Sequence, residues 1–438
     1  MHIKHITVKN FRCFEHLEFD LNPDINIFVG NNGSGKSAVL DAIAAAIYYY
    51  LTKLQITTAI RFLFSVPIFQ SDFSVTTKDN QEKKQIELAV LTKDFPAWSI
   101  VYNKPSTGDD EQRLTLPESF ISSKKVSSEL KNKFVSLKSD PTSELCVIAY
   151  YKSDRSLKNS LNLKTISNQS FNRFDSLNNS LDATANFTDL INWFFVHEFQ
   201  ELREGKNQGD INYELPNLKQ VRNAVKTIIH PEARVYCTQT TSVKLMVEWT
   251  METGEKRELT LNQLSAGYRN MLALVMDFAR RLAQANPHLE NPLEAEAILM
   301  IDELDLHLHP TWQQKIIPDL RKVFPNTQII ATTHSPEIVT TVDRNQVWIL
   351  EDYQIKACPY PTKGMKSSDM VRYVLGLENL RPDTEESRKL TALFNAIDNG
   401  NIEEAKRLQK ELESWESFDA DMTRADMQIR RLERRMSV

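Results

Sequence analysis

Apolar and polar residues alternate along the first twenty positions, and "HITVKNF" and "LEFDL" carry the period of two expected of short, half-buried strands. "INIFVG", residues 25–30, is a compact apolar run of the buried-strand type, and it ends on a glycine loop. "SAVLDAIAAAIYYYL" follows with the alanine and leucine content of a helix. Farther on, "KQIELAVLTKD" and "AWSIVYN" read as a hairpin or sheet edge, "ELCVIAYY" as a buried strand, and "FTDLINWFFVHEFQELRE" as an amphipathic helix capped by Thr188 or Asp189. The Ser-, Asn- and Lys-rich stretch between the last two is the least core-like part of the chain, and a mobile loop is expected there.

From residue 216 the pattern is compact again. Helix "PNLKQVRNAVKTII" and strands "ARVYCT", "VKLMVEW" and "ELTL" precede a long helix, "GYRNMLALVMDFARRLAQA". Strand "AILMID", helix "PTWQQKIIPDLRKVF", and strands "TQIIATT" and "QVWIL" then alternate as parallel βα units do. The remainder reads as successive amphipathic helices, capped by Ser or Asp and ended by Gly or Asn. The expected organisation is therefore α/β, with one lobe over 1–103, a partly helical insertion over 104–215, a second lobe over 216–360 and a helical region over 361–438.

Composition narrows the class. With 41% hydrophobic and 25% charged residues the chain is neither disordered nor membrane-spanning, since no apolar run approaches the roughly 18 residues a span requires. The N-terminus lacks the layout of a secretory signal, so cytoplasm is the expected location. Cys13, Cys146, Cys237 and Cys358 show no CxxC spacing and suggest neither a disulfide framework nor zinc. A formal charge of −5 argues against a uniformly basic nucleic-acid binder, although Lys-rich 120–138 and Arg-rich 424–435 are local basic patches.

The candidate chemistry is concentrated in four places. "GNNGSGKS", residues 30–37, fits G-x-x-x-x-G-K-[ST] and lies between a buried strand and a helix, as that phosphate-binding loop must. Asn31, Asn32, Gly33, Ser34, Gly35, Lys36, Ser37 and Ala38 are expected to line ATP, with Lys36 at the β and γ phosphates and Ser37 on Mg²⁺. "AILMIDE" is an apolar strand ending in two carboxylates: Asp302 suits the Mg²⁺ shell, and Glu303 suits polarisation of the attacking water. His334 lies just past another buried strand, and "LDLHLHP" supplies Asp305, with His307 and His309 nearby. "LNQLSAGYRN", residues 261–270, looks like a second nucleotide motif through Ser265, Gly267 and Arg269.

In this order the motifs resemble an ABC-type ATPase head of the SMC, RecF and OLD class, a mixed sheet flanked by helices, here with a helical insertion and a helical C-terminal appendage. The resemblance implies that His334 senses the γ-phosphate, that Asp305 belongs to the D-loop, and that Ser265 and Gly267 cover ATP bound at the P-loop of a second copy in a head-to-tail dimer. Gln70 is a candidate for the Q-loop glutamine, and Arg155 is a candidate for a phosphate or partner contact. The long block from "ILMIDELDLHLHP" to "THSPEIV" is similar to the PtuA family, the ATPase subunits of Septu anti-phage systems. That likeness implies a separate HNH nuclease partner. The residues after Asp352 lack the spaced acidic motifs on strands of an OLD-type Toprim nuclease, so no nuclease activity is expected in this chain; the alternative is a RecF- or SMC-like ATPase that binds DNA directly.

Overall fold

The computed structural model describes residues 1–54, 70–73, 85–95, 97–104, 120–121, 124–153, 161–162, 171–181, 183–238, 242–250, 254–377, 379–415 and 418–436. They divide into two compact units, Met1–Leu375 and Gly376–Val438. The first opens with β1 (Ile3–Phe11), β2 (Phe14–Asp20), β3 (Ile25–Gly30), α1 (Lys36–Leu54), β4 (Gln85–Thr92), β5 (Trp98–Asn103) and β6 (Phe120–Ile121). It continues with α2 (Lys124–Ser139), β7 (Val147–Tyr151), β8 (Leu161–Asn162), α3 (Ala183–Gln208), α4 (Pro216–Ile228), β9 (Arg234–Cys237), β10 (Ser242–Val243), β11 (Leu245–Thr250) and β12 (Lys256–Thr260). Its last part is α5 (Ala266–Ala285), β13 (Ala297–Ile301), α6 (Pro310–Val323), β14 (Thr327–Thr332), α7 (Pro336–Val339), β15 (Val347–Glu351), β16 (Gln354–Ala357) and α8 (Ser367–Tyr373).

Two large sheets carry this unit. One is antiparallel, in the order β2-β1-β4-β5-β6, and the alternating burial of β1 and β4 matches the period read in their sequence. The other runs β16-β15-β3-β14-β13-β7 and is parallel except for β16. Its strands β3, β7, β13 and β14 are buried at every position, as strands covered on both faces must be. Helix α1 packs against strands of both sheets. Ala42, Ile43, Ala44, Ala45, Ala46 and Ile47 are all fully buried, so the middle of this helix is apolar on every side.

Four expectations change. The strand in "ELCVIAYY" is not part of a detached insertion, because β7 pairs in parallel with β13 in the central sheet. Helix α3 begins at Ala183, so Thr188 and Asp189 lie inside it rather than capping it. The middle segment is described only in part, and residues 171–181 within it are packed: a one-turn helix over Arg173–Leu177 buries Ser176, Leu177, Ser180 and Leu181. The helix α8 belongs to the first unit, so the division falls after Leu375 and later than residue 361.

Residues 171–181 are held by a buried charge network on α5. Tyr151 donates to Asp277 at 2.8 Å, Arg280 and Arg281 donate to the same carboxylate at 2.7 and 2.8 Å, and Arg281 continues to the carbonyl of Asn178 at 3.0 Å. Burial alone would raise the Asp277 carboxyl, but the two guanidiniums overcome it and hold the group below its ordinary value.

The second unit is a bundle of α9 (Glu385–Asp398), α10 (Ile402–Glu411) and α11 (Ala420–Met436) around Leu393, Ile397, Leu408, Met422 and Ile429. The caps of α9 and α10 are Thr384 and Asn401 rather than Ser or Asp. Arg381 pairs with Asp419 and Asp421, at 2.8 and 2.7 Å, at the start of α11.

Candidate functional site

The P-loop forms where β3 runs out. Gly30 cannot be replaced without conflict, because a Cβ there would run into the carbonyl of Leu350 and lie 2.8 Å from Ser34 Oγ. Gly35 has a φ of +99°, and its Cβ would fall 2.8 Å from Cys13 Sγ. The chain then enters α1, whose first N–H groups are free of helical partners and available to an anion. Lys36 Nζ donates to the carbonyls of Gly30 and Asn31, at 3.0 and 2.9 Å. Burial lowers the Lys36 ammonium from its ordinary value, against the opposing pull of Asp302, Glu303 and Asp305.

Those three acids come from the strand two places away in the sheet. Asp302 is buried, and its amide donates to the Tyr151 carbonyl at 2.8 Å, continuing the ladder between β13 and β7. The hydroxyl of Thr332, at the end of the intervening strand β14, donates to Asp302 Oδ1 at 2.6 Å and accepts from the Glu303 amide at 2.7 Å. Thr333 donates to Asp305 Oδ1 at 2.6 Å, and the His334 amide reaches the same oxygen at 3.1 Å. The His334 imidazole is lowered by burial and by Lys36, with the acids opposing. Lys36, Asp302, Glu303, Asp305 and His334 therefore feel one another at the carboxyl ends of three adjacent parallel strands. A ligand site is expected at such strand ends.

The turn after Glu303 is fixed at its far end too. Gln313 donates to the Leu308 carbonyl at 2.8 Å and accepts from Ser335 Oγ at 2.8 Å, and His309 Nδ1 caps α6 by accepting from the Thr311 amide at 3.3 Å. His307 is exposed and has a φ of +63°.

The signature residues stand at the start of α5. Ser265 is exposed and is the N-cap, accepting from the Tyr268 amide at 3.5 Å. Gly267 is buried against the turn just described, and a Cβ on it would strike the His307 carbonyl. Its lack of a side chain thus has a cause within its own chain. Tyr268 stacks on Trp249, with ring centroids 6.3 Å apart, and meets Trp312 edge-on at 4.4 Å.

Sequence reasoning missed a charged group beside the P-loop. Arg12, in the β1–β2 turn, donates to Asp41 at 2.6 Å and to Asp72 at 2.8 Å, and Lys152 lies 3.5 Å from Asp41. Asp41 stands four residues after Ser37, one helical turn on along the same face of α1, and that spacing was the available signal. Gln70 begins the one-turn helix Gln70–Asp72, and Lys152 follows the end of β7. Arg155 lies outside the described residues.

Comparison with known proteins agrees with this geometry. A family model described as "AAA domain, putative AbiEii toxin, Type IV TA system" matches residues 25–340, and an "AAA ATPase domain" model matches residues 1–47. The retron Vc95 probable ATPase of Vibrio cholerae serotype O1 biovar El Tor is 27% identical, over 93% of this chain and 85% of that protein. The retron Ec83 probable ATPase of Escherichia coli is 28% identical, over 91% and 80%. The Septu protein PtuA of Bacillus thuringiensis is 31% identical over a shorter region, 28% of this chain and 34% of that protein. A solved SMC head bound to the C-winged helix domain of ScpA aligns over 81% of this chain and 97% of its own, with a TM-score of 0.44 and 13% identity. With the P-loop, the acid-ended strand and the parallel sheet in place, the chain belongs to the family described as "AAA domain, putative AbiEii toxin, Type IV TA system", and it is an α/β P-loop ATPase.

Proposed function

We propose that this ATPase is the nucleotide-driven subunit of an anti-phage defence assembly, in which two copies close head to tail on ATP and hold and regulate a separate HNH nuclease. The observation that carries the reading is the likeness to two retron ATPases over nine tenths of the chain, together with the shorter likeness to PtuA. A cytoplasmic location fits this role; among the described residues, no helix is long and apolar enough to cross a membrane.

The chemistry follows from the residues. The P-loop amides and Lys36 bind the phosphates, and His334 contacts the γ-phosphate. Ser37 and Asp302 offer a hydroxyl and a carboxylate, the hard oxygen donors that Mg²⁺ prefers, so the donor set fits that ion. Bound there, Mg²⁺ would neutralise charge on the β and γ oxygens. Glu303 orients a water and takes up its proton as the oxygen attacks phosphorus, and ADP leaves with phosphate as the second product. Ser265 of one copy covers the γ-phosphate held by the other.

The test is to search the neighbouring reading frames for an HNH protein and to co-express the two, followed by purification with ATP and with ADP; absence of any such neighbour counts against the partnership. A stable complex whose nuclease activity differs between the two nucleotides is the expected result; no complex under either condition refutes the partnership. One observation favours a second reading, that of a DNA-binding repair ATPase: α2 exposes Lys131, Lys133 and Lys138. DNA binding by the ATPase alone, falling linearly with the logarithm of salt concentration, would support it.

A further inference from the structure

Thr332 belongs to no motif named above, yet it touches both acids that end β13. It is fully buried at the last position of β14, on the strand that separates β3 from β13. Its hydroxyl proton goes to Asp302 Oδ1 at 2.6 Å, and its oxygen accepts the Glu303 amide at 2.7 Å. Its carbonyl accepts the Leu304 amide at 2.9 Å. Glu303 sits between these bonds with a φ of +49°, in the left-handed region that a glutamate occupies only when its surroundings hold it there.

We propose that Thr332 is a positioning residue for ATP hydrolysis: its hydroxyl bridges Asp302 and the backbone of Glu303 and keeps the Glu303 turn in the conformation from which that carboxylate acts on water. The hydroxyl does two things that no apolar side chain can do. By donating to Oδ1 it fixes the plane of the Asp302 carboxylate. By accepting from Glu303 it provides the hydrogen bond that offsets the cost of the left-handed turn. Valine has the same shape and neither capacity. Serine has both and lacks only a methyl group.

The inference rests on the reading of Asp302 and Glu303 as the hydrolytic acids, so Glu303→Gln is measured alongside. Three quantities are followed in the full chain: kcat and KM for ATP with Mg²⁺, affinity for a fluorescent ATP analogue, and melting temperature. Thr332→Val is expected to lower kcat by at least about tenfold with analogue affinity nearly unchanged, since a hydrogen bond to a charged group is at stake. Thr332→Ser is expected to keep kcat within about threefold of the natural protein, because the bridge survives. A folded Thr332→Val with unchanged kcat overturns the proposal. So does a folded Thr332→Ser that loses kcat although its hydroxyl is retained, and this comparison decides the matter if the valine variant does not fold. Should Glu303→Gln itself hydrolyse ATP normally, the assignment of the acids fails instead, and the two failures are told apart.

Discussion

The P-loop cluster and the signature motif are both short runs of small and polar residues at a helix start, yet they are built on opposite principles. Around Lys36 five ionisable side chains from three parallel strands act on one another, and burial pushes both Lys36 and His334 below their ordinary values. That is a site already assembled inside one chain. Around Ser265 there is a helix cap, a glycine pressed against a backbone carbonyl and an aromatic stack, all explicable as local structure. On the function proposed above, nucleotide binding is a property of the single chain, and the signature motif acts only across a pair of chains.

The sharpest way to break this contrast is at Glu303. Glu303→Gln should lower kcat by about 10²–10⁴-fold, the usual worth of a positioned general base, while ATP affinity stays close to normal. Stopped-flow phosphate release beside equilibrium binding of a fluorescent analogue reads both. Ser265→Arg should act on the other half. ATP-driven association, followed by sedimentation, is expected to disappear, and each monomer should bind the analogue with affinity within about threefold of the natural chain, because the P-loop is untouched. Normal association in that variant would mean that the motif is merely a cap.

The smallest expected effect concerns pH. The shift of His334 is downward, so the ring is neutral at pH 7 and takes up a proton only below the ordinary imidazole value of about 6.5. Binding of a non-hydrolysable ATP analogue should therefore stay level from pH 8 to about 6.5 and change only on the acid side, and His334→Gln should remove the change. A transition between pH 7 and 8 would show that the ring is held in its charged form instead.

Much of the site was legible because its motifs are local. A glycine loop between a buried-type strand and a helix, or an apolar strand ending in Asp-Glu, declares itself within ten residues. The central sheet was legible for a similar reason: β13 is apolar throughout and β3 and β14 carry apolar runs at their centres, as strands covered on both faces do. What escaped was set by contacts distant in sequence. The apolar run of β7 predicts a strand, but nothing local tells that it joins the sheet beside Asp302. Arg12 meets Asp41 and Asp72 only after the β1–β2 turn folds onto α1. Thr332 reads as an ordinary strand threonine until Asp302 is placed 2.6 Å from its hydroxyl. The Asp277–Arg280–Arg281 spacing suggests surface ion pairs on a helix; that they are buried depends on the 171–181 segment, whose composition gave no hint of packing.

The contact between Gly267 and His307 has a consequence for genetics. Its partner atom is a main-chain oxygen, so no change of side chain at position 307 can make room for a larger residue at 267. The displaced strand of peptide would be the same turn whose other end bonds to Thr333 and His334 through Asp305. A lesion at 267 is thus beyond second-site repair at its nearest neighbour, and it would disturb the Ser265 cap and the turn bonded to His334 in a single stroke.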